Sequence, residues 1–209
     1  MGIAALLILW EDLIIGESKG MKYWAHETSI VDRSAVIGDN TRVWQFSNIM
    51  ADVCIGANCN IGQNVFIESG VKIGNRVKIK NNISLYNGVI CEDDVFLGPN
   101  CVFTNVINPR SFIEKKAEFK QTIIRQGATI GANSTLLCGH TIGRYAMVGA
   151  GSVVTHDVGE YELVMGNPAR HEGYVCRCGE TLEVRGAEYI CMGCNSRYTI
   201  AGNRIHVKE

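Results

Sequence analysis

The sequence has no surplus of charge of one sign and very little proline. Among its 209 residues, 20 lysines and arginines face 21 aspartates and glutamates, so the formal net charge is −1. Because nucleic-acid-binding proteins carry a broad basic surface, this balance predicts no nucleic-acid partner. Charged residues make up 20% and hydrophobic residues 46%, which excludes a disordered chain. Only three prolines accompany 23 glycines, a ratio that indicates many tight turns of one kind.

The opening stretch is apolar but has no basic region before it. Glu11 and Asp12 interrupt it, so it predicts neither a signal peptide nor a membrane span. We therefore treat residues 1–21 as a leader of doubtful function, with Met21 as the expected natural start.

A repeat of six residues fills most of the chain. Every sixth residue from Ile37 to Phe103 is aliphatic or aromatic except Cys91, and the series resumes from Ile124 to Val154. The third residue after each of these eighteen positions is Gly, Asn or Asp in fourteen cases, and these types tolerate a positive φ. A short strand followed by a sharp turn explains both regularities. Three strands per coil predict an all-β triangular prism, a parallel β-helix with three hexads per turn over residues 22–160.

A protruding loop at residues 104–122 interrupts the repeat. From Ile107 to Arg125 it holds five basic residues and two acidic ones, on a chain that is otherwise neutral. Local positive charge favours a phosphate or carboxylate ligand, and Arg110, which follows a proline turn, is the best-placed candidate. The alternative is a solvated loop without a function.

Four of the nine cysteines cluster near the C-terminus. Cys176 and Cys178, then Cys191 and Cys194, form two closely spaced pairs separated by a predicted hairpin. This pattern resembles a zinc ribbon over residues 174–209 and predicts a closed, structural Zn²⁺ site, with disulfides or free thiols as the alternatives. The other five cysteines are scattered singly among aliphatic residues, which predicts free, buried thiols in a reducing cytoplasm. They are Cys54, Cys59, Cys91, Cys101 and Cys138.

The repeat, Ile-Gly-x-Asn-x-Val and its variants, resembles that of the hexapeptide-repeat acyltransferases over roughly residues 30–158. This resemblance implies a left-handed coil, a homotrimer and active sites between neighbouring prisms. The segment from Met165 to Arg170 looks like the closing Gly-Asn-Pro-Ala-Lys/Arg segment of that family, within a closing stretch of residues 161–173. The resemblance implies that acetyl-CoA binds beside it. The expected acetyl-CoA contacts are Gly131, Gly149, Asn167, Pro168 and Arg170.

Three further segments resemble the N-acetyltransferases that act on UDP-2-acetamido-3-amino-2,3-dideoxy-glucuronate in surface-polysaccharide synthesis. They are residues 78–86, 98–110 and 125–133. The resemblance implies acetyl transfer from acetyl-CoA to the 3-amino group of such a sugar. It also implies that an asparagine at the turn of Asn81 and Asn82 meets the sugar near its amine.

Residues three hexads apart stack in a column on such a prism, so the columns can be compared. One corner reads Gln45, Gln63, Asn81 and Pro99, a run of amides that turn geometry explains least. Asn82 occupies a position where the backbone itself favours Asn or Gly, so the column favours Asn81 as the residue at the reacting amine. We expect Asn81 and Asn82 to be catalytic. We expect the substrate to contact Gln45, Gln63, Lys80, Tyr86 and Arg110.

No histidine is assigned as a general base, since structural roles are favoured for His140 and His156. A neutral amine is already a nucleophile, and orientation alone contributes on the order of 7–11 kcal/mol to such a reaction. One alternative is an acetyltransferase on a dTDP-linked amino sugar or on a hydroxyl acceptor, although a hydroxyl would want a histidine base. The other is a non-catalytic scaffold or binding module with the zinc ribbon as its contact surface.

Overall fold

The computed structural model describes residues 23–201 and 204–208, so the predicted leader of residues 1–21 lies outside the described residues. The first strands are β1 (Trp24–Ala25), β2 (Ile30–Val31), β3 (Val36–Ile37), β4 (Arg42–Val43), β5 (Asn48–Ile49), β6 (Cys54–Ile55), β7 (Asn60–Ile61), β8 (Phe66–Ile67), β9 (Lys72–Ile73), β10 (Lys78–Ile79), β11 (Ser84–Leu85), β12 (Val89–Cys91), β13 (Phe96–Leu97) and β14 (Val102–Phe103). After a 3-10 helix at Lys116–Glu118 follow β15 (Thr122–Ile124), β16 (Thr129–Ile130), β17 (Thr135–Leu136), β18 (Thr141–Ile142), β19 (Met147–Val148), β20 (Val153–Val154), β21 (Glu162–Gly166), β22 (Ala169–Tyr174), β23 (Leu182–Arg185), β24 (Glu188–Cys191), β25 (Arg197–Ala201) and β26 (Arg204–Lys208).

Three sheets form the faces of a prism. Sheet I runs β1-β4-β7-β10-β13-β16-β19-β21-β22, sheet II runs β2-β5-β8-β11-β14-β17-β20, and sheet III runs β3-β6-β9-β12-β15-β18. Consecutive prism strands of a sheet are parallel and lie three hexads apart, as Arg42 pairs with Asn60 and Asn60 with Lys78. The prediction of an all-β chain that coils as a left-handed parallel β-helix is confirmed.

The core is lined by two side chains per hexad, the last residue of each prism strand and the residue four positions after it, as with Ile61 and Val65. Ile49, Ile61, Ile67 and Ile79 are completely buried, while the residue before each of them is not. Each buried side chain contributes roughly 1.5–3 kcal/mol, so the core is built from equal small increments. The prediction of buried single cysteines holds for four of the five. Cys54 is exposed, because it precedes the inward-pointing Ile55 on β6.

The turns of the prism have a left-handed residue at a fixed place. The third residue after each repeat position has a positive φ at every position except Val106 and Asp157. This set includes Phe46, Arg76 and Tyr145, whose types disfavour that conformation. Stacking of the coils therefore determines the backbone at these turns even where the residue type opposes it.

We name the three edges of the prism by the sheets they join. The first corner joins sheet I to sheet II and contains residues 44–47, 62–65, 80–83, 98–101, 131–134 and 149–152. The second corner joins sheet II to sheet III and contains residues 86–88 and 137–140. The third corner joins sheet III to sheet I and contains residues 74–77 and 143–146.

One coil is enlarged at the second corner. Thr129 pairs with Phe96, 33 positions earlier instead of 18, so a long loop leaves the prism between β14 and β15. The 3-10 helix lies in this loop. Two of the loop's cations are paired with carboxylates, Lys115 with Glu118 at 2.8 Å and Lys116 with Glu114 at 3.8 Å. Arg125 lies after β15, at the third corner outside the loop, and pairs with Glu92 of the neighbouring coil at 2.6 Å.

The chain leaves the prism through a hairpin and a small separate sheet. Strand β21 extends sheet I and turns back as the antiparallel β22. The tail then forms a four-stranded antiparallel sheet, β23-β24-β25-β26, with its own buried cluster. Among the described residues, no helix has the length and apolarity to cross a membrane.

Phe46 occupies one of the left-handed turn positions, with φ 58°, and is 62% exposed. We expect Phe46→Asn to raise the free energy of unfolding by about 1 kcal/mol, because asparagine tolerates this conformation better. Asn100 occupies the same column with φ 59°, so Asn100→Phe is expected to lower it by a similar amount. Chemical denaturation measures both. A loss of stability in Phe46→Asn would contradict the account and indicate a packing role for the ring.

Candidate active site

The first corner brings five of the seven predicted catalytic and substrate residues to one edge of the prism. Gln45, Gln63 and Asn81 stack in successive coils, as the period of three hexads requires. Lys80 and Asn82 flank Asn81 in the chain, and Asn81, Asn82 and Gln63 are exposed. The corner therefore presents a line of amides to solvent over three coils.

Asn81 has a stacking role that its residue type did not reveal. Its Oδ1 accepts a hydrogen bond at 3.1 Å from the backbone N–H of Gln63, one coil earlier. At the third corner, Asn75 Oδ1 accepts from the Ala57 N–H at 2.9 Å, and Asp93 Oδ1 accepts from the Asn75 N–H at 2.8 Å. No described residue accepts from Asn81 Nδ2, so this amide can still donate to a bound molecule.

Asn82 and Lys80 have different environments. Asn82 has φ 61°, and its Oδ1 accepts from Asn64 Nδ2 at 3.0 Å, which links two turns of the same column. The Lys80 ammonium lies 5.8 Å above the ring of Phe96 on sheet I. Asn82 thus stabilises the turn, as its position predicts. Lys80 places a positive charge on the side of the corner that faces sheet I.

Two other predicted substrate residues lie on a different edge. Tyr86 begins the second corner, on the far side of strand β11, about 15 Å along the chain from Asn81. It packs against Phe66, with ring centroids 6.4 Å apart. Arg110 lies in the loop that leaves the same corner, is exposed, and donates to the Pro109 carbonyl at 3.1 Å. Within one chain, these two side chains are not joined to the amide column.

The predicted acetyl-CoA residues gather at the C-terminal end of the first corner. Gly131 and Gly149 begin its last two turns, two and three coils beyond Asn81, or about 10 and 14 Å along the axis. The turn of residues 166–169 closes over them, since the Gly166 N–H donates to Ser152 Oγ at 3.2 Å. Asn167, Pro168 and Arg170 are exposed around this turn, and Arg170 donates to the Ala169 carbonyl at 2.9 Å.

Stacking explains part of the requirement for glycine at this end. A Cβ on Gly131 would lie 2.7 Å from Ala150 Cα in the next coil, which is backbone and cannot move aside. A Cβ on Gly149 would meet the side chain of Met165 instead. A role of either glycine toward acetyl-CoA stays a prediction.

The described histidines do not lie beside Asn81. His26 lies on the first corner, but in the coil before Gln45 and so three coils from Asn81, about 14 Å along the axis, with its Nδ1 3.0 Å from Thr28 Oγ1. His140 lies at the second corner, half-buried, with Nδ1 3.4 Å from Asp157 Oδ1. His156 Nδ1 lies 3.5 Å from Thr155 Oγ1, and His171 Nδ1 lies 2.8 Å from Glu162 Oε1. Each of these four rings therefore has a local partner, and none stands beside Asn81.

The four tail cysteines lie together, apart from the amide column. Their Sγ atoms are all within 4.8 Å of one another, with 3.4 Å from Cys176 to Cys194 and from Cys178 to Cys191. A tetrahedral site with Zn–S bonds of about 2.3 Å separates its sulfurs by about 3.8 Å. The donor set and its spacing therefore fit a Zn²⁺ ion with four thiolate ligands.

Comparison with known proteins gives consistent matches. The family described as bacterial transferase hexapeptide (six repeats) matches residues 34–69, and the hexapeptide repeat of succinyl-transferase matches residues 52–87 and 121–156. A dTDP-3-amino-3,6-dideoxy-alpha-D-galactopyranose 3-N-acetyltransferase of Aneurinibacillus thermoaerophilus is 49% identical over 178 residues, which are 85% of this chain and 91% of that protein. The bifunctional protein GlmU of Thermotoga maritima is 45% identical over 58 residues, 27% of this chain and 13% of that one. A structure of galactoside acetyltransferase in complex with coenzyme A has a TM-score of 0.51 at 23% identity, and covers 62% of this chain and 66% of that one.

The two glycines of the first corner allow a direct comparison of stacking. We expect Gly131→Ala to lower the free energy of unfolding by several kcal/mol, since the new methyl group meets backbone. Gly149→Ala is expected to cost clearly less, because the Met165 side chain can rotate away. Thermal and denaturant unfolding of the two variants measure the difference. Equal losses would show that coil stacking does not distinguish these positions.

Proposed function

The chain belongs to the hexapeptide-repeat acetyltransferases, and on this basis we propose that it transfers the acetyl group of acetyl-CoA to the 3-amino group of a nucleotide-linked sugar. One observation carries the proposal: the relative from Aneurinibacillus thermoaerophilus, a 3-N-acetyltransferase by name, is 49% identical over 85% of this chain. An identity of this size over nearly the whole prism favours the same kind of acceptor.

Two acceptors share that 3-amino group. A dTDP-linked 3-amino-3,6-dideoxyhexose is the first candidate, because it is the acceptor in the name of that relative. UDP-2-acetamido-3-amino-glucuronate is the second, favoured by the resemblance of residues 78–86, 98–110 and 125–133. The second acceptor has a carboxylate that the first lacks. Arg110, exposed and without an ion pair among the described residues, is the cation we assign to that carboxylate or to the diphosphate.

The order of residues along the first corner supports an arrangement of the two substrates. The acceptor sugar would lie against the amide column, where Asn81 Nδ2 is available to donate to a sugar oxygen. The pantetheine of acetyl-CoA would run along the last coils, between Gly131 and the turn of residues 166–169, with Arg170 near its phosphates. The distance along the corner from Gly131 to Asn81 is about 10 Å, and an extended pantetheine arm is long enough to bring the thioester across it.

The chemistry requires little acid–base help from the protein. The neutral amine attacks the thioester carbonyl carbon, a C–N bond forms, and the C–S bond breaks. The departing thiolate of coenzyme A takes up the proton that the nitrogen loses, through water. The contribution of the protein is to hold amine and thioester in contact, an effect on the order of 7–11 kcal/mol in well-oriented reactions.

The second-corner residues enter this scheme through a neighbouring chain. Tyr86 and Arg110 lie at the second corner and in its loop, a different edge of the prism from Asn81. In a homotrimer, the second corner of one prism would face the first corner of the next, which would complete the site. This trimer and a cytoplasmic location belong to the proposal. The cysteine cluster stands outside it, since four thiolates would hold a structural Zn²⁺ with no open position.

The assay that tests the proposal measures release of free thiol from acetyl-CoA by the purified protein. We expect turnover with the dTDP-linked 3-amino sugar, and weaker or no turnover with UDP-2-acetamido-3-amino-glucuronate. The matching 3-hydroxy sugars serve as controls and are expected to be inert, because a hydroxyl needs a base. Preference for the UDP sugar would reverse the order of acceptors. No release of thiol with either amino sugar would contradict the proposed function and favour a non-catalytic scaffold.

Asn81 and Asn75 form a matched pair that separates binding from stacking. The Oδ1 of each accepts a hydrogen bond from a backbone N–H one coil earlier, at 3.1 and 2.9 Å, but on different corners. Asn81→Ala is expected to lose about 1 kcal/mol of stability, the worth of one hydrogen bond. Asn75→Ala is expected to lose more, because Asn75 Nδ2 also donates to Asp93 Oδ1 and Oδ2 at 3.2 and 3.3 Å. Only Asn81→Ala is expected to lower kcat/KM, by about tenfold or more, when amine and thioester are no longer aligned. Equal kcat/KM in the two variants would remove Asn81 from the site.

A further inference from the structure

The four tail thiols lie at the junction of the prism and the tail sheet. Cys176 and Cys178 lie in the turn that joins β22, the last strand of prism sheet I, to β23 of the tail sheet. Cys191 ends β24 and Cys194 lies in the turn before β25, both in the tail sheet. A single ion bound by all four would therefore join the prism to the tail.

We infer that Cys176, Cys178, Cys191 and Cys194 bind one Zn²⁺ and that this ion locks the tail sheet against the last coils of the prism. The inference is independent of the transfer chemistry, since it concerns a part of the chain that the proposed reaction does not use. The distances between the four sulfur atoms fall around the sulfur–sulfur distance of a tetrahedral zinc site.

The segment that carries the first two cysteines contacts the prism directly, through Arg177, which lies between them. The Arg177 guanidinium carbon lies 5.1 Å from the ring centroid of Tyr145, and its Nη2 donates to the Tyr145 hydroxyl at 3.4 Å. Tyr145 belongs to the third corner and stacks on Tyr161, with centroids 5.2 Å apart. The ligand loop, residues 175–179, thus contacts the last coils through the Tyr145 ring, which is itself stacked on Tyr161.

A buried tyrosine links those rings to the sulfur cluster. Tyr198 on β25 is completely buried, and its ring meets the edge of Tyr161 at 5.5 Å. Its hydroxyl lies 3.1 Å from Cys176 Sγ and accepts from the Arg177 N–H at 3.1 Å. With a thiolate at Cys176, this hydroxyl donates to the sulfur, a second partner that orients the ligand.

The tail has few buried apolar residues of its own. Its buried residues Cys176, Leu182, Cys191, Tyr198 and Ile205 cluster with Tyr161 of the last coils, and Tyr145, Tyr174 and Tyr189 pack partly buried against them. Because two of the buried tail residues are the proposed ligands, the remaining core of the tail is small, and a bound ion would add to its stability. A cavity of about 110 Å³ lies between the ligand loop and Thr129 and Met147 of the last coils. Fixing this loop with an ion would therefore strengthen the attachment.

The metal itself is tested on the full-length protein purified without chelator. Elemental analysis is expected to give one zinc per chain, and replacement by Co²⁺ is expected to give the visible spectrum of a tetrahedral tetrathiolate site. Cys194→Ser is expected to lose both signals, while Cys54→Ser, at an exposed cysteine outside the cluster, keeps them. Iron in place of zinc, a Cys–Cys disulfide found by mass spectrometry, or no metal would overturn the assignment.

The locking role is tested on the unmodified chain, so that a variant that fails to fold does not confuse the result. Hydrogen exchange is followed by mass spectrometry before and after a strong chelator removes the metal. We expect exchange in β23–β26 to accelerate at least tenfold, while the coils from β4 to β14 keep their protection, and added Zn²⁺ to restore the tail. Unchanged exchange in the tail after complete metal removal would overturn the lock.

Discussion

The stacking of one coil on the next is the constraint on which the rest of this molecule depends. Each coil places side chains from all three faces in the interior and a left-handed residue at nearly every corner, and hydrogen bonds between coils fix an offset of three hexads. Because every coil repeats the same small gain, no single layer dominates the stability. The regularity also explains why Phe46 and Tyr145 adopt a conformation their types disfavour.

Because of this constraint, the position of a residue in the sequence determines its height along the prism axis. A side chain three hexads further on lies one coil higher on the same corner, so a column of amides becomes a line of donors and acceptors. In the same way, the glycines of the last coils and the closing turn fall on the edge that the amides occupy. A prism of this kind can thus present two substrates side by side along one corner, with the protruding loop and the closing turn adding contacts to them.

The hexad period was enough to predict a three-sided parallel β-helix, since it encodes strand, turn and register together, whereas the left hand of the coil was implied only by the resemblance to the hexapeptide-repeat family. It was enough to predict which amides share a corner, but not what they do there: the hydrogen bond from Gln63 to Asn81 depends on how two coils stack. Tyr86 is five residues from Asn81 in sequence yet lies at another edge, because strand β11 carries the chain across a face. In the tail the period is absent. The cysteine spacing predicted the cluster, whereas the contact of Arg177 with Tyr145 joins two distant positions and has no sequence signal.

The most direct test of this account is a crystal structure of the protein with coenzyme A and a nucleotide-linked 3-amino sugar. The account predicts the pantetheine along the last coils of the first corner, beside Gly131 and the turn of residues 166–169, with the sugar amine next to Asn81 and Tyr86 of a neighbouring chain close by. Coenzyme A on the face of a sheet or at the third corner, with the amide column left open to solvent, would contradict it.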